Sequence, residues 1–135
     1  MTSSNEAELN MRVARQFLDE VWTQGNYENL RALVAPRHVH HFTTFDVHGP
    51  EGVREFVRGF KEAFPDASFH VVDIFASADR VAVRASVQAT HAETGKRVSY
   101  HVIDIFRFED GRLVERWGEL DTAHLTSQLQ APAPK

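Results

Sequence analysis

Apolar positions along the chain follow two regimes, a helical spacing up to about residue 65 and a two-residue alternation after it. Between Glu6 and Trp22, Leu9, Val13, Phe17 and Val21 recur every four residues with Ala14 and Leu18 beside them, the stripe of an amphipathic helix. Gly25 stops it. Asn26 then caps a short second helix carrying Tyr27, Leu30, Leu33 and Val34, which Pro36 closes. The segment GPEGVREFVRGFKEAFPD predicts a third helix: Pro50 suits a first turn, Val53, Phe56, Val57, Phe60 and Phe64 form one stripe, and Pro65 ends it. From Phe69 onward FHVVDIFA, DRVAVRASVQATH, KRVSYHVIDIFRF and RLVERWGEL read as successive strands, with turns at Ser77-Ala78-Asp79, Glu93-Thr94-Gly95 and Glu109-Asp110-Gly111. Links this short make the neighbours antiparallel. A short strand at about His38 to Thr43 is expected to join the sheet edge, and Asp121 to cap a last helix, Thr122 to Gln130. The pattern predicts an α+β domain, with helices packed on the concave face of a curved antiparallel sheet.

Composition narrows the setting. A length of 135 residues, 42% hydrophobic and 25% charged, suits one globular domain over 1–135, with loose ends at 1–5 and 131–135. The net charge of -4, without a run of Lys and Arg interleaved with aromatics, argues against a nucleic-acid partner. The absence of cysteine excludes disulfides, thiolate metal sites and a cysteine nucleophile. The opening MTSSNEAELN lacks the basic and apolar regions of a signal peptide, and no apolar run is long enough to span a bilayer, so a cytoplasmic protein with no membrane partner is expected.

Candidate chemistry centres on an aspartate in the most apolar strand. In residues 98–108 one face carries Val98, Tyr100, Val102, Asp104, Phe106 and Phe108, and the other Ser99, His101, Ile103, Ile105 and Arg107. A carboxylate on the apolar face must find a partner, hold a proton or do chemistry. A three-residue loop over Glu109-Asp110-Gly111, with Gly111 at a left-handed bulge position, sets Phe108 opposite Arg112, Phe106 opposite Val114, Asp104 opposite Arg116 and Val102 opposite Gly118. A two-residue Asp-Gly turn sets Asp104 against Trp117 instead.

The ordered segments VARQFLDEVWTQGNYENLRALVAP, GPEGVREFVRGFKEAFPD, DRVAVRASVQATH and VIDIFRFEDGRLVERWGELD together resemble the SnoaL-like polyketide cyclase (ester cyclase) family, of the nuclear-transport-factor-2-like fold, over nearly the whole chain. The resemblance implies a cone of helices against a strongly curved sheet, enclosing an apolar pocket, commonly in a homodimer. It also implies an intramolecular aldol condensation that needs no metal or cofactor: a carboxylate removes a proton alpha to a carbonyl, and pocket histidines and an asparagine position the oxygens. Counted from Asp110-Gly111, the family's acid/base aspartate falls at Gly118, a family histidine at Arg116, the pocket histidine of the preceding strand at Asp104, and the early asparagine near His40.

The candidate catalytic set is therefore Asp104, Arg116 and His40, with Arg116 keeping Asp104 ionised and Arg116 or a protonated His40 receiving an oxyanion. Phe56, Phe60, Tyr100, Val102, Phe106, Gly118 and His41 are the expected substrate-binding residues, around a small apolar molecule. The other reading of Asp104 and Arg116 is a cross-strand ion pair that fixes register and does no chemistry. His38 and His40 share a strand face but lack a convincing third ligand, so no metal and no cofactor are expected. Ile103, Ile105, Leu113 and Trp117 should cluster on the outer sheet face and be covered by a second copy in a homodimer, or else by the C-terminal helix. Two functions remain open: an enzyme acting by proton transfer on an apolar carbonyl or ester compound (cyclisation, isomerisation or hydration), or a binding or dimerisation module that kept the cone and lost the acid/base residue. Epoxide hydrolysis by an Asp-Arg-Asp set, known on this fold by analogy, lacks its second aspartate here.

Overall fold

The computed structural model describes residues 4–130. Of the ends expected to be loose, 1–3 and 131–135 lie outside the described residues, whereas Ser4 and Asn5 begin the first helix. Helix α1 (Ser4–Gln16) runs directly into a π-helical segment, Phe17–Thr23, followed by the single turn α2 (Leu30–Leu33). Strands β1 (Val34–His41) and β2 (Asp46–His48) precede helix α3 (Gly49–Ala63). Strands β3 (Ser68–Ser77), β4 (Arg80–Thr90), β5 (Arg97–Glu109) and β6 (Arg112–Leu120) form a meander, and helix α4 (Thr122–Gln130) is the last of the described elements.

The six strands lie in one curved, unclosed sheet of order β2-β1-β6-β5-β4-β3. The strand expected at the edge is longer than the sequence suggested and lies inside: β1 pairs with β6 in parallel and with β2 antiparallel, so β2 takes the edge. The sheet is thus mixed rather than wholly antiparallel. The second helix is also shorter than expected. Val34 already has extended dihedrals, and Pro36 sits within β1 rather than closing a helix. Burial explains this. Val34 and Ala35 are both buried, and a strand beside β6 sequesters them where a further helical turn would not.

The core lies between helices and sheet. Inward residues of β4 (Val81, Val83, Ala85, Val87) and of β5 (Val98, Tyr100, Val102, Phe106, Phe108) pack against Val13, Phe17, Leu18 and Val21 from the first helical stretch and Val53 and Val57 from α3. Asp121 caps α4 as expected, accepting a hydrogen bond from the His124 amide at 2.9 Å. Helix α4 protects an edge. Strand β5 outruns β6, whose last partner is Val102, and the Gln128 side chain bonds both the amide and the carbonyl of Ser99 at 2.8 Å, replacing the missing strand. It therefore leaves the outer face uncovered, where Phe75 and Ile103 remain exposed.

The β5–β6 hairpin differs from expectation in a way that decides the site. Its loop is two residues, Asp110-Gly111, both at positive φ as the twist-matched type I′ turn requires, with Glu109 paired to Arg112 and Phe108 to Leu113. One residue further, the register shifts at a bulge, and consecutive Leu113 and Val114 are both buried. Without the extra residue, Leu113 inward would put Glu115 and Trp117 inward as well. With it, Arg116 and Gly118 turn in, pairing with Phe106 and Asp104. Leu113, expected on the outer face with Ile103, Ile105 and Trp117, is consequently a fully buried core residue.

Candidate active site

Asp104 and Arg116 meet inside the cone, although they are not direct cross-strand partners. Asp104 faces Gly118, and Arg116 reaches it diagonally with a two-pronged grip, Nε to Oδ1 at 3.1 Å and Nη2 to Oδ2 at 3.0 Å. Both side chains are almost completely closed off, 2% and 5% exposed. Gly118 makes room for this. A Cβ at that position would collide with Asp104 Oδ1 and come within 3.6 Å of His40 Nε2. The guanidinium carbon lies 5.6 Å from the ring centroid of Phe17, 5.0 Å from that of Trp22 and 5.1 Å from that of Phe106, so the cation is boxed by aromatic faces.

The π segment explains that box. Phe17 and Trp22 are five residues apart, a spacing that places them well round an α-helix from each other but that a wider π turn closes onto one face. The sequence pattern, read as one α-helix to Trp22, contains both residues but not this convergence.

Beside the pair is a cavity of about 120 Å³. Six aromatic side chains line it: Trp22, Phe42, Phe56, Phe60, Phe69 and Tyr100. Its polar side chains are those of His40, Asp104 and Arg116, and Val102 and Gly118 complete the wall next to them, while Glu119 borders it from a position on β6 that pairs with exposed Ile103. Exposed Glu119 and Leu120 mark the mouth. Of the residues singled out in the sequence, Asp104, Arg116, His40, Phe56, Phe60, Tyr100, Val102 and Gly118 come together here. Two do not. Phe106 lies beneath the guanidinium rather than on the cavity wall, and His41 is on the opposite face of β1, hydrogen-bonded to Asp46 at 2.9 Å and Glu115 at 2.7 Å and stacked on Trp117. Strand alternation accounts for His41: with His38 and His40 inward, His41 has to point out. Trp22, Phe42 and Phe69 were missed: Trp22 is turned in by the π segment, Phe42 lies just beyond the end of β1, and Phe69 is at the start of the edge strand β3.

Electrostatics correct one expectation. Burial, then the charge of Arg116, pushes His38 down to about 4, and the same causes hold His40 lower still, so both are neutral imidazoles at neutral pH. A protonated His40 is not on hand to receive an oxyanion; what it offers is a neutral ring. Burial raises Tyr100 to about 12, keeping its hydroxyl protonated. Outside, a hydrogen bond to Glu115, partly offset by desolvation and reinforced by Asp46, raises His41. Among the described residues, no group of three His, Asp or Glu side chains is placed to hold a metal ion, and no helix is long and apolar enough to cross a membrane.

The SnoaL-like polyketide cyclase family model matches residues 12–129. The chain belongs to that family. Among solved structures, it is similar to IdmH of Streptomyces antibioticus, which carries a provisional polyketide-cyclase assignment, with 28% identity, a TM-score of 0.80, and 90% of this chain and 99% of that one covered. TsrD of Streptomyces laurentii matches at 26% identity and TM-score 0.82, over 93% of this chain and 97% of its own. An LEH-like epoxide hydrolase of M. tuberculosis, at 17% identity and TM-score 0.75 over 92% of this chain and 91% of its own, shares the fold. Among curated proteins none matches.

Two outcomes follow from the geometry. Gly118→Ala drives a methyl group into the ion pair and is expected to lower unfolding free energy by at least about 2 kcal/mol in urea titrations. His38 is protonated below its usual 6.5 only when the chain unfolds, so its contribution to stability is full above that value and falls with pH until about 4. Replacing it by Leu should therefore raise stability relative to wild type by about 3 kcal/mol on going from pH 7 to pH 4, read from paired denaturation curves.

Proposed function

We propose that the protein is an enzyme that transfers protons on a small, apolar carbonyl or ester compound, without a cofactor, with Asp104 as the base. The observation that carries this reading is the buried carboxylate clasped by Arg116 at the wall of an aromatic-lined cavity, with Gly118 giving the carboxyl its room. Asp104 takes the proton alpha to the carbonyl; the C–H bond breaks, and its electron pair moves into an enolate whose oxygen accepts hydrogen bonds from donors in the wall. Returning the proton at another carbon is isomerisation, and attack of the enolate on a second carbonyl of the same molecule closes a ring. Membership of the SnoaL-like family supports a small-molecule-transforming role. The cavity of about 120 Å³ favours a ligand, or a reacting portion of one, of single-ring size, since drug-sized ligands occupy about 300–1,000 Å³.

The outer face supports a homodimer in the same reading. Exposed Ile103 and Phe75 flank a shallow depression of about 430 Å³ that also takes in Ile105 and is crossed by the Asp73–Arg84 ion pair, an apolar patch with one charged pair that α4 does not cover. On this basis Ile103→Glu should move the protein from dimer to monomer in sedimentation analysis.

The chemistry is tested by deuterium exchange at the alpha carbon of a small β-keto ester in D2O, followed by proton NMR. The native protein should accelerate exchange, and Asp104→Asn should slow it about a hundred- to ten-thousandfold with circular dichroism intact. Exchange equal in both proteins would mean that the pair serves only the sheet.

A further inference from the structure

The six aromatic side chains around the cavity are not held alike. Phe56, Phe60 and Phe69 each pack on Trp22, with ring centroids 5.5 to 6.0 Å apart, and Tyr100 stands on a central strand, so five of the walls are fixed by helix or sheet. Phe42 is the exception. It lies in the link between β1 and β2, residues 42–45, outside every described helix and strand. Within that link the Phe42 amide donates to the Phe45 carbonyl at 2.9 Å, and Thr43 Oγ1 donates to Glu119 at 3.5 Å. Among the described residues, the ring partners of Phe42 are His40 at 3.9 Å, Phe56 at 4.5 Å and Phe45 at 4.7 Å, the last nearly parallel at 15°. His40 is 3% exposed and Phe45 49%, so this stack of three rings runs from the polar wall of the cavity out to solvent. We propose that Phe42, backed by Phe45, sets the size of ligand that the cavity takes, admitting a single ring and turning away two fused rings.

The limit follows from volume and from what the ring touches. A dry apolar cavity of about 150 Å³ takes up benzene, and this one is about 120 Å³. A second fused ring therefore needs a wall to move. Moving Trp22, Phe60 or Phe69 disturbs rings that lean on one another and, through Trp22, the cover over the Arg116 guanidinium. Phe42 has no ring contact with Phe17, Trp22 or Phe106, the three that box the cation, so displacing it spares the ion pair and breaks only its own stack. Behind it is Phe45, half of which already faces water, so space given up by the Phe42 ring joins the mouth rather than a packed interior. A half-exposed phenylalanine on a four-residue link buries little apolar surface. What Phe45 contributes is a flat support that holds the Phe42 ring across the opening.

This inference deepens the reading above and rests on it for the place that a ligand occupies, not for the chemistry, and its test reads binding alone. The probes are acetophenone and 2-acetonaphthone, which present the same ketone on one ring and on two fused rings, with anisole and 2-methoxynaphthalene as a pair that lacks the carbonyl. Dissociation constants come from nitrogen-15 NMR titrations of the protein. In wild type each one-ring probe should bind at least about tenfold tighter than its two-ring counterpart, against the gain that a larger apolar surface brings wherever it fits. Phe42→Ala should shift that ratio at least about tenfold toward two rings, and Phe42→Leu about threefold. Phe60→Leu, the same substitution on a braced wall, should shift it less than Phe42→Leu does. Phe45→Ala should act in the direction of Phe42→Ala, about threefold, yet add nothing in the Phe42→Ala background, because it works through the ring that is gone. The inference is overturned if wild type takes the two-ring probes as tightly, if the one-ring probes fail to bind up to their solubility limits, if a folded Phe42→Ala protein keeps the wild-type ranking, if Phe60→Leu matches Phe42→Leu, or if the Phe45→Ala effect persists in the double variant. Should Phe42→Ala not fold, the wild-type ranking and the comparison of Phe42→Leu with Phe60→Leu decide it. Failed proton exchange with the ranking intact would sink the catalytic reading and leave this one standing, and a lost ranking with exchange intact would do the reverse.

Discussion

A carboxylate and a guanidinium shut together under aromatic rings constrain everything else in this molecule. Either ion alone in that setting would cost several kcal/mol, and even the pair is tolerable only when its geometry is close to ideal. Three local features supply that geometry. The bulge after Leu113 turns Arg116 inward, Gly118 keeps its side of the strand pair empty for the carboxylate, and the π turn from Phe17 brings Trp22 over the cation. Each is a departure from regular structure, and regular structure at any one of them would separate or crush the pair. Irregularities that converge on one buried polar group are expected where a fold gives up local stability for a site.

Helices and strands were legible because they rest on periodicity, and periodicity is a property of the sequence. The stripe of α3, the alternation of β4 and β5, and the inward position of Asp104 all follow from it. The partnership of Asp104 with Arg116 was also legible, but through a wrong register: a three-residue loop makes them direct partners, while the structure uses a tighter turn and then a bulge, and the long arginine spans the diagonal. The outcome survived because an arginine side chain reaches either position. Leu113 had no such latitude and changed face. The parallel seating of β1 beside β6 was out of reach for a simpler reason. A parallel pairing has no short turn to announce it, and the segment that supplies it begins inside what reads as a helix.

Position 118 shows how far a family resemblance carries residue by residue. The resemblance sets the family's acid/base aspartate at Gly118 and a pocket histidine at Asp104, which read in isolation suggests a lost function. In the structure those two residues are cross-strand partners, and the Asp104 carboxyl occupies the space that a side chain at 118 would need. The two positions cannot both carry a carboxylate in this arrangement. A carboxylate at one therefore favours glycine at the other, and the absence of an aspartate at 118 says little about whether the hollow still holds a base.

The absence of net charge in the hollow bears on the proposed reaction itself. When Asp104 takes a proton it becomes neutral, and the buried charge of Arg116 would be left without a counter-ion in a low-dielectric wall, a state costing several kcal/mol. The electron pair released at the same step becomes negative charge on the ligand oxygen, in the field of the same guanidinium, whose residue lines the cavity. Charge thus passes from one side of Arg116 to the other without leaving it unpaired, and the cation is balanced by the carboxylate before the transfer and by the enolate after it. A lysine could not do this in the same way, because one compact ammonium would have to abandon the carboxylate to follow the charge. A planar cation with separate faces for the two partners holds both at once.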